Sequence, residues 1–418
     1  MTDFPDLRVV DSTTTQLVPL PQYPDLPTVI NGVDGKDGVD GVKGDPGPTG
    51  PAGPSGSGVA VGQTRIDVQA LPGADVADKL RQFWATPPTS SVPLLVLRPG
   101  SVIDAKASPI TIPAFAALHG ADSIETEFGR SCPVQVRATG GTAVFKNAPR
   151  GSNESGAKGW SMQGLTYLGT GKEELFATAP ADSTGTIWAY NTLHNVNANQ
   201  LRRVYHGPMM GTTISGTTYW NNFSDAPLAP GGSDNKLFTD GMFLEMGGVV
   251  DAATRAKIPA MLQLGYLSKT YIGPVYITGS PTTPVWLQNG MGAVRVYGAE
   301  IEGRPARGDG SLACAGALFR LDGGGASIRD TWLGYAMYNP TATGRADKGF
   351  VHVKGGEHLV DGCTYMPYAD RVAPLAHVEG GHLIVRNILR GKGAPRPVVQ
   401  TTDLTFVEAD NTVTVVKV

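Results

Sequence analysis

Between Gly32 and Gly56 glycine falls at every third position: Gly32, Gly35, Gly38, Gly41, Gly44, Gly47, Gly50, Gly53 and Gly56. Three polyproline-II strands can wind about one axis only where every third residue lacks a side chain, because that position faces the crowded centre. The chain has 55 glycines in 418 residues. Nine such matches from a given start would arise by chance with odds of roughly one in a hundred million, so the period is real. Pro48, Pro51 and Pro54 follow glycines and Pro46 precedes one; each prolyl ring sets φ near the extended value in advance. The first half carries Asp34, Lys36, Asp37, Asp40, Lys43 and Asp45 instead. These can pair between staggered chains, at only ~0–1 kcal/mol per exposed pair.

Residues 32–58 are therefore expected to form a collagen-like triple helix, about 80 Å long at ~3.1 Å per residue. The expected partners are two identical chains, making a homotrimer. The competing reading is a flexible glycine-rich linker, but linkers keep no period of three. So short a triple helix needs trimeric modules at its ends.

Residues 1–31 hold Pro5, Pro19, Pro21, Pro24 and Pro27 with scattered apolar side chains. Such a segment is extended and cannot bury its apolar groups alone. It reads either as a disordered arm or as a strap that orders on a partner. It lacks the basic region and apolar core of a secretion signal, and no run approaches the ~20 apolar residues of a membrane span. Synthesis in the cytoplasm without membrane insertion is expected. Net charge is −3, so no basic footprint for nucleic acid exists. Cys132, Cys314 and Cys363 are odd in number and far apart. They indicate neither a disulfide framework nor a zinc site.

From residue 59 the composition changes. Arg65-Ile66-Asp67-Val68 reads as part of a strand. Val76, Leu80, Phe83 and Trp84 then share one face of a helix predicted over 74–84. Acids lie early and bases later, matching the helix dipole, and Pro87-Pro88 stops it. Residues 59–100 thus form an entry, and 101–418 a body of short strands broken by glycine. Charged residues make up only 17%, a balance that favours strands and tight turns over helices.

The body is most regular from 284 onward. Val285–Gly290, Leu318–Gly324, Phe350–Gly356 and Leu375–Gly381 each precede a second strand-like run, at Ala293, Ala326, His358 and His382. Each unit is a strand, a glycine turn, a second strand, then a polar residue or glycine. A period of about 25–33 residues signals a solenoid. The fold class is mainly β: a right-handed parallel β-helix, expected to be trimeric. Inward and outward residues alternate, so Val351 and Val353 should share one face and His352 the other, and likewise Phe319 and Leu321 against Arg320. Glycine pairs, including Gly323-Gly324-Gly325, should form corners where φ turns positive. An antiparallel sandwich explains the glycine-bounded strands but not the repeated unit.

The proline-rich start, the Gly-x-y block and this body resemble tail fibres, tailspikes and minor tail proteins of tailed bacteriophages. The helix before Leu94-Leu95-Val96-Leu97-Arg98-Pro99-Gly100 is similar to the entry of pectate-lyase-like domains. The resemblance implies a virion protein, assembled in the host cytoplasm and attached through residues 1–31 to other tail proteins. Its body would face a host cell-surface glycan or another receptor.

Some relatives of this kind cleave glycans, which requires two carboxylates ~5–5.5 Å or ~6.5–9.5 Å apart. Candidate acids are Asp240 with Glu245, Glu300 with Glu302, and Asp322 with Asp330. Glu300 and Glu302 are two apart and would share a face of a strand. No motif singles out any pair, so catalysis stays open beside adhesion. His352 and His377 occupy equivalent positions, and His358 and His382 nearly so; an imidazole ladder or a metal site could follow. No nucleotide, serine-hydrolase or zincin motif stands in its required context, and no cofactor is expected. Trp160, Trp188, Tyr190, Tyr219, Trp220, Trp286, Trp332, Tyr335, Tyr365 and Tyr368 are candidates for a sugar-stacking surface. A bacterial collagen-like surface protein is a third reading, opposed by the missing signal and anchor.

Overall fold

The computed structural model describes residues 64–86, 93–120, 124–126, 129–131, 133–147, 159–170, 172–177, 188–189, 191–199, 203–216, 218–221, 228–233, 236–237, 242–245, 260–268, 270–280, 282–288, 293–303, 316–334, 349–367, 373–402 and 405–418. The chain divides into the units Met1–Ala60 and Val61–Val418, and all described residues belong to the second. The Gly-x-y block and the segment 1–31 lie outside them, as do Cys132, Cys314 and Pro87-Pro88.

The second unit is a parallel β-helix. Among the described residues every strand pairing is parallel except that of Ile124–Thr126 with Gly129–Ser131. Successive coils stack strand on strand. One coil holds Thr283–Leu287, Ala293–Tyr297 and Glu300–Gly303; the next holds Phe319–Leu321, Gly325–Arg329 and Trp332–Gly334. Two further coils follow, with Val351–Val353, Glu357–Asp361 and Thr364–Met366, then Ala376–Val378, Gly381–Arg386 and Leu389–Arg390. First strands pair only with first strands, second with second and third with third. Three columns result, called here the first, second and third sheets. The third strand of each unit escaped the sequence reading. At two to four residues it is too short to display a period.

Two corners repeat from coil to coil. Between first and second strands Gly324, Gly356 and Gly381 take φ of +72°, +89° and +81°. A Cβ on Gly356 would lie 2.2 Å from the Gly324 carbonyl oxygen, and one on Gly381 2.4 Å from that of Gly356. Backbone thus stacks directly on backbone. Between second and third strands Gly298, Asp330, Gly362 and Asn387 share one register position, all with positive φ. Glycine, Asn and Asp are the residues that tolerate this left-handed conformation. A ladder of amides closes the corner, from Gly298 to the Arg329 carbonyl, Asp330 to Asp361, and Gly362 to Arg386. The same corner recurs earlier within continuous strands, at Gly164 in Ser161–Leu168 and Asn195 in Thr192–Asn199. Each of those strands bends there and serves two sheets.

The core is the lumen between the sheets. Val285, Phe319, Val351, Ala376 and Val399 line it from the first sheet, with Val296, Ile328, Val360 and Val385 from the second. Ile301, Leu333 and Tyr365 close it from the third. The Tyr365 hydroxyl donates to the Ala373 carbonyl at 2.5 Å, so this buried phenol carries its own partner. Cys363 is buried, and burial raises its thiol to about 11. It is an inert packing residue.

At the entry the helix spans Val76–Ala85, with Asp75 as N-cap accepting from the Asp78 amide. Val76, Ala77, Leu80 and Trp84 are buried and Phe83 packs beside them. The expected match of late bases to the dipole fails, since no base lies in the last turn. Arg81, in mid-helix, instead donates to the carbonyls of Ala105 and Ser108, tying the helix to the first coils. Asp104 extends that tie. Its carboxylate accepts from the Thr139 amide at 3.0 Å and from the Lys106 amide and Arg137 guanidinium at 2.9 Å each. Burial pushes this carboxyl up, but the donors outweigh it and hold it at about 2.

Two measurements check these interactions. Gly356→Ala should destabilise the full chain by about 2–4 kcal/mol in chemical denaturation, through left-handed strain and collision with the Gly324 carbonyl. Gly100→Ala, at φ +78° with open space around it, should cost only about 1–2 kcal/mol. For Asp104 the folded value lies below the unfolded one of about 3.9. Its stabilisation is therefore complete above that value and fades as pH falls towards about 2. Asp104→Asn should lower the melting temperature at pH 7 and flatten its fall across that window.

Candidate functional site

Strand alternation turns half of every sheet outward, and two outward faces gather chemistry. The first lies on the third sheet. Glu300 and Glu302 share the outer face of the strand Glu300–Gly303, while Ile301 between them is buried. The preceding coil places Tyr276 beside Glu300. The Tyr276 hydroxyl donates to the Glu302 carboxylate at 2.8 Å and the Thr278 hydroxyl at 3.2 Å. In the following coil Trp332 stands beside Glu300. Its indole lies along the strand over Gly334, where a Cβ would meet the ring at 1.8 Å. The absence of a side chain at Gly334 makes room for the ring on this strand, whose residues pair with Glu300 and Glu302.

The two carboxyls differ. Burial, and then the negative charge of Glu302, raise Glu300 above the usual carboxylate range. Glu300 is the more exposed of the two and only partly desolvated, whereas Glu302 is half-buried and accepts both hydroxyls. The Tyr276 phenol is itself raised, by burial and then by Glu302. The two acids thus differ in surroundings: Glu300 is raised above its usual range and Glu302 gathers two hydroxyl donors. That asymmetry suits general acid–base work.

Of the other sequence candidates, Glu245 belongs to a strand whose backbone pairs with this face, opposite Thr278. Its side chain and the whole of Asp240 lie outside the described residues. Asp322 and Asp330 are not brought together. Asp322 follows the first-sheet strand Phe319–Leu321, Asp330 sits in the left-handed corner, and Gly325–Arg329 runs between them.

The second polar face is on the first sheet. Trp286, Arg320, His352, His377 and Gln400 occupy one outward row across five coils. The Arg320 guanidinium stacks over Trp286 at 4.3 Å, and both donate to Asp322, at 2.9 and 2.8 Å. The His352 and His377 rings are tilted by 53° to one another, with centroids 5.8 Å apart. Their Nε2 atoms lie 3.2 and 3.5 Å from the two oxygens of Glu379. The register matches the expectation, but the exposure does not: the rings are 8% and 7% exposed, enclosed between Arg320, Gln400 and Glu379. Among the described residues no group of three or more His, Cys, Asp or Glu is arranged to hold a metal ion.

His358 and His382 are not equivalent. His382 aligns with Glu357, and His358 with Leu383. One residue of offset turns His358 into the lumen and His382 outward. The buried His358 Nδ1 accepts from the Ala326 amide at 3.1 Å, and Nε2, which then carries the proton, reaches the Gly355 carbonyl at 2.7 Å. Burial lowers its pKa, so it is a neutral core residue that pins the glycine corner. Trp160 and Tyr365 are also core residues, Trp160 stacked on Phe176. Trp286 and Trp332 face outward. Tyr190, Tyr335 and Tyr368, with the side chains of Trp188, Tyr219 and Trp220, lie outside the described residues. Sequence reasoning missed Tyr276 and Thr278, because their meeting with Glu302 depends on the length of the loop between coils. Their alternation with the buried Val275 and Ile277 is the available signal.

No protein-family model and no curated protein matches this chain. Among solved structures it is similar to a cysteine-to-alanine mutant of DFA-IIIase from Arthrobacter chlorophenolicus A6, at 10% identity and a TM-score of 0.54, covering 84% of this chain and 96% of that one. ORF18 of Geobacillus virus E2 gives 11% identity and a TM-score of 0.44, covering 83% of this chain. The tailspike protein of Acinetobacter phage vB_ApiP_P1 gives 11% and 0.42, again over 83%. This chain spans only 61% and 59% of those two viral chains. Identities this low speak to the fold alone. Among the described residues no helix is long and apolar enough to cross a membrane.

Replacing Glu302 by Gln removes one of the two causes that raise Glu300. Carboxyl titration followed by NMR should show the Glu300 pKa falling in Glu302→Gln, yet staying above the usual range because its burial is unchanged.

Proposed function

We propose that the chain is a structural and adhesive tail component of a bacteriophage, a trimeric fibre or minor tail protein. Residues 1–31 attach it to other tail proteins, residues 32–58 join three copies, and the β-helical bodies meet a glycan or other receptor on the host surface. The observation that carries the adhesive reading is the row Tyr276, Glu300 and Trp332 on a rigid sheet. An indole can offer its negative face to sugar C–H groups, and carboxylates on the neighbouring strand can accept from sugar hydroxyls. Held on backbone ladders, these groups lose little freedom on binding. The uninterrupted Gly-x-y block supports the trimer.

A second reading is favoured by the raised Glu300 beside Glu302. Glu300 and Glu302 share one face of a strand, with backbones about 6.6 Å apart, so both carboxyls can flank one glycosidic bond. In that reading Glu300 donates the proton to the leaving oxygen, and Glu302 activates water.

Light scattering of the full chain should give the mass of three copies, and labelled protein should adhere to host cells. Trp332→Ala should weaken adhesion about tenfold or more while leaving the mass unchanged. A single-chain mass removes the fibre reading. Release of new reducing ends from host polysaccharide, lost in Glu302→Gln, selects the depolymerase over the purely adhesive protein.

A further inference from the structure

Around the left-handed corner from the acid–aromatic face, the outer side of the second sheet forms a groove of about 890 Å³. It runs across five coils, from Tyr271 to Ile384, about 19 Å at ~4.8 Å per strand. The middle of its floor is low, because Ala293, Gly325 and Ser327 stand there. Its two ends differ in charge.

At one end Tyr271 and Tyr297 are exposed, at 43% and 60%. The Arg295 guanidinium lies 5.4 Å from the Tyr271 ring centroid, and no ion pair joins Arg295 to a carboxylate among the described residues. One coil on, Arg329 is steadied by a 3.0 Å hydrogen bond from its Nε to the Ser327 hydroxyl; its register partner on the next strand is Asp361, whose carboxylate is itself paired with Arg386. At the other end stand Glu357 and His382, the latter 3.2 Å from Glu408. Two partly immobilised guanidiniums on neighbouring coils, flanked by exposed phenol rings, suit a planar or tetrahedral anion carried on a sugar ring. Glu357 is the one carboxylate among the groove's lining residues and disfavours the same anion at that end.

We propose that this groove is a subsite for an anionic sugar chain, with Arg295 and Arg329 receiving its carboxylate or phosphate groups and Tyr271 and Tyr297 stacking on its rings. The inference rests on the adhesive reading and narrows its ligand class. It uses a face separate from Glu300 and Glu302, which would repel such a chain.

The test is binding of the immobilised full chain to three probes: a uronate oligosaccharide, its carboxyl-reduced neutral counterpart, and a glycerol-phosphate oligomer. At least one anionic probe should bind, weakening as salt is raised, and whichever binds identifies the anion. The neutral counterpart should bind at least tenfold more weakly than the uronate when carboxylate is the anion. Arg295→Gln and Arg329→Gln should each weaken binding about tenfold at an unchanged melting temperature, since both side chains are exposed. Equal affinity of Arg295→Gln and the wild-type protein overturns the proposal, as does neutral sugar binding as tightly as uronate. If neither anionic probe binds while the protein still adheres to host cells, the anionic subsite falls and the adhesive reading stands. If adhesion is absent too, both fall.

Discussion

Each coil of this molecule must return to the position of its first strand one sheet spacing further along the axis. That closure depends on backbone that can turn left-handed at two fixed corners. Gly324, Gly356 and Gly381 make one corner, and Gly298, Asp330, Gly362 and Asn387 the other. The residues are dictated twice over. Positive φ excludes most side chains, and the stacked carbonyls leave no volume for a Cβ at Gly356 or Gly381. The strands between corners are interchangeable by comparison: any alternation that sends Val, Ile or Phe inward will fill the lumen.

The outward half of each strand is then free to carry chemistry. Because coils stack in register, residues remote in sequence become lateral neighbours. The Tyr276 hydroxyl reaches Glu302 from the neighbouring coil, and His352 meets His377 over Glu379. A parallel ladder also fixes spacing in two directions, about 4.8 Å between strands and about 6.6 Å between outward residues on one strand. An acid–aromatic face, a buried imidazole row and a cationic groove can therefore surround one lumen without sharing a residue.

How much of this could be read from the sequence follows from the same geometry. The glycine pairs, the inward positions of Val351, Val353, Phe319 and Leu321, and the alignment of His352 with His377 were legible, because they depend only on local alternation and a near-constant repeat. The third strands were not, being too short to show a period. The equivalence proposed for His358 and His382 failed through a single residue: Glu357 stands between the Gly355-Gly356 pair and His358, whereas His382 follows Gly381 at once. Period-two structure turns that small offset into opposite faces. The acids were legible as a pair at Glu300 and Glu302. Their phenol and indole neighbours were not, because which coil stacks beside them depends on loop length, and loop length carries no pattern.

A solenoid held by nearest-neighbour contacts has stability that is close to a sum over coils and their interfaces. Its ends are the points where that sum is incomplete. At the entry the helix Val76–Ala85 covers the lumen and is tied down by Arg81, while Asp104 binds the first coils to each other. At the other end Phe406, Val415, Val416 and Val418 are exposed, and among the described residues no strand stacks on Thr405–Ala409 or Thr414–Lys417 from beyond. The two ends therefore differ in kind. At the entry a helix buries its apolar face against the first coils, whereas the last described coil keeps Phe406, Val415 and Val416 exposed.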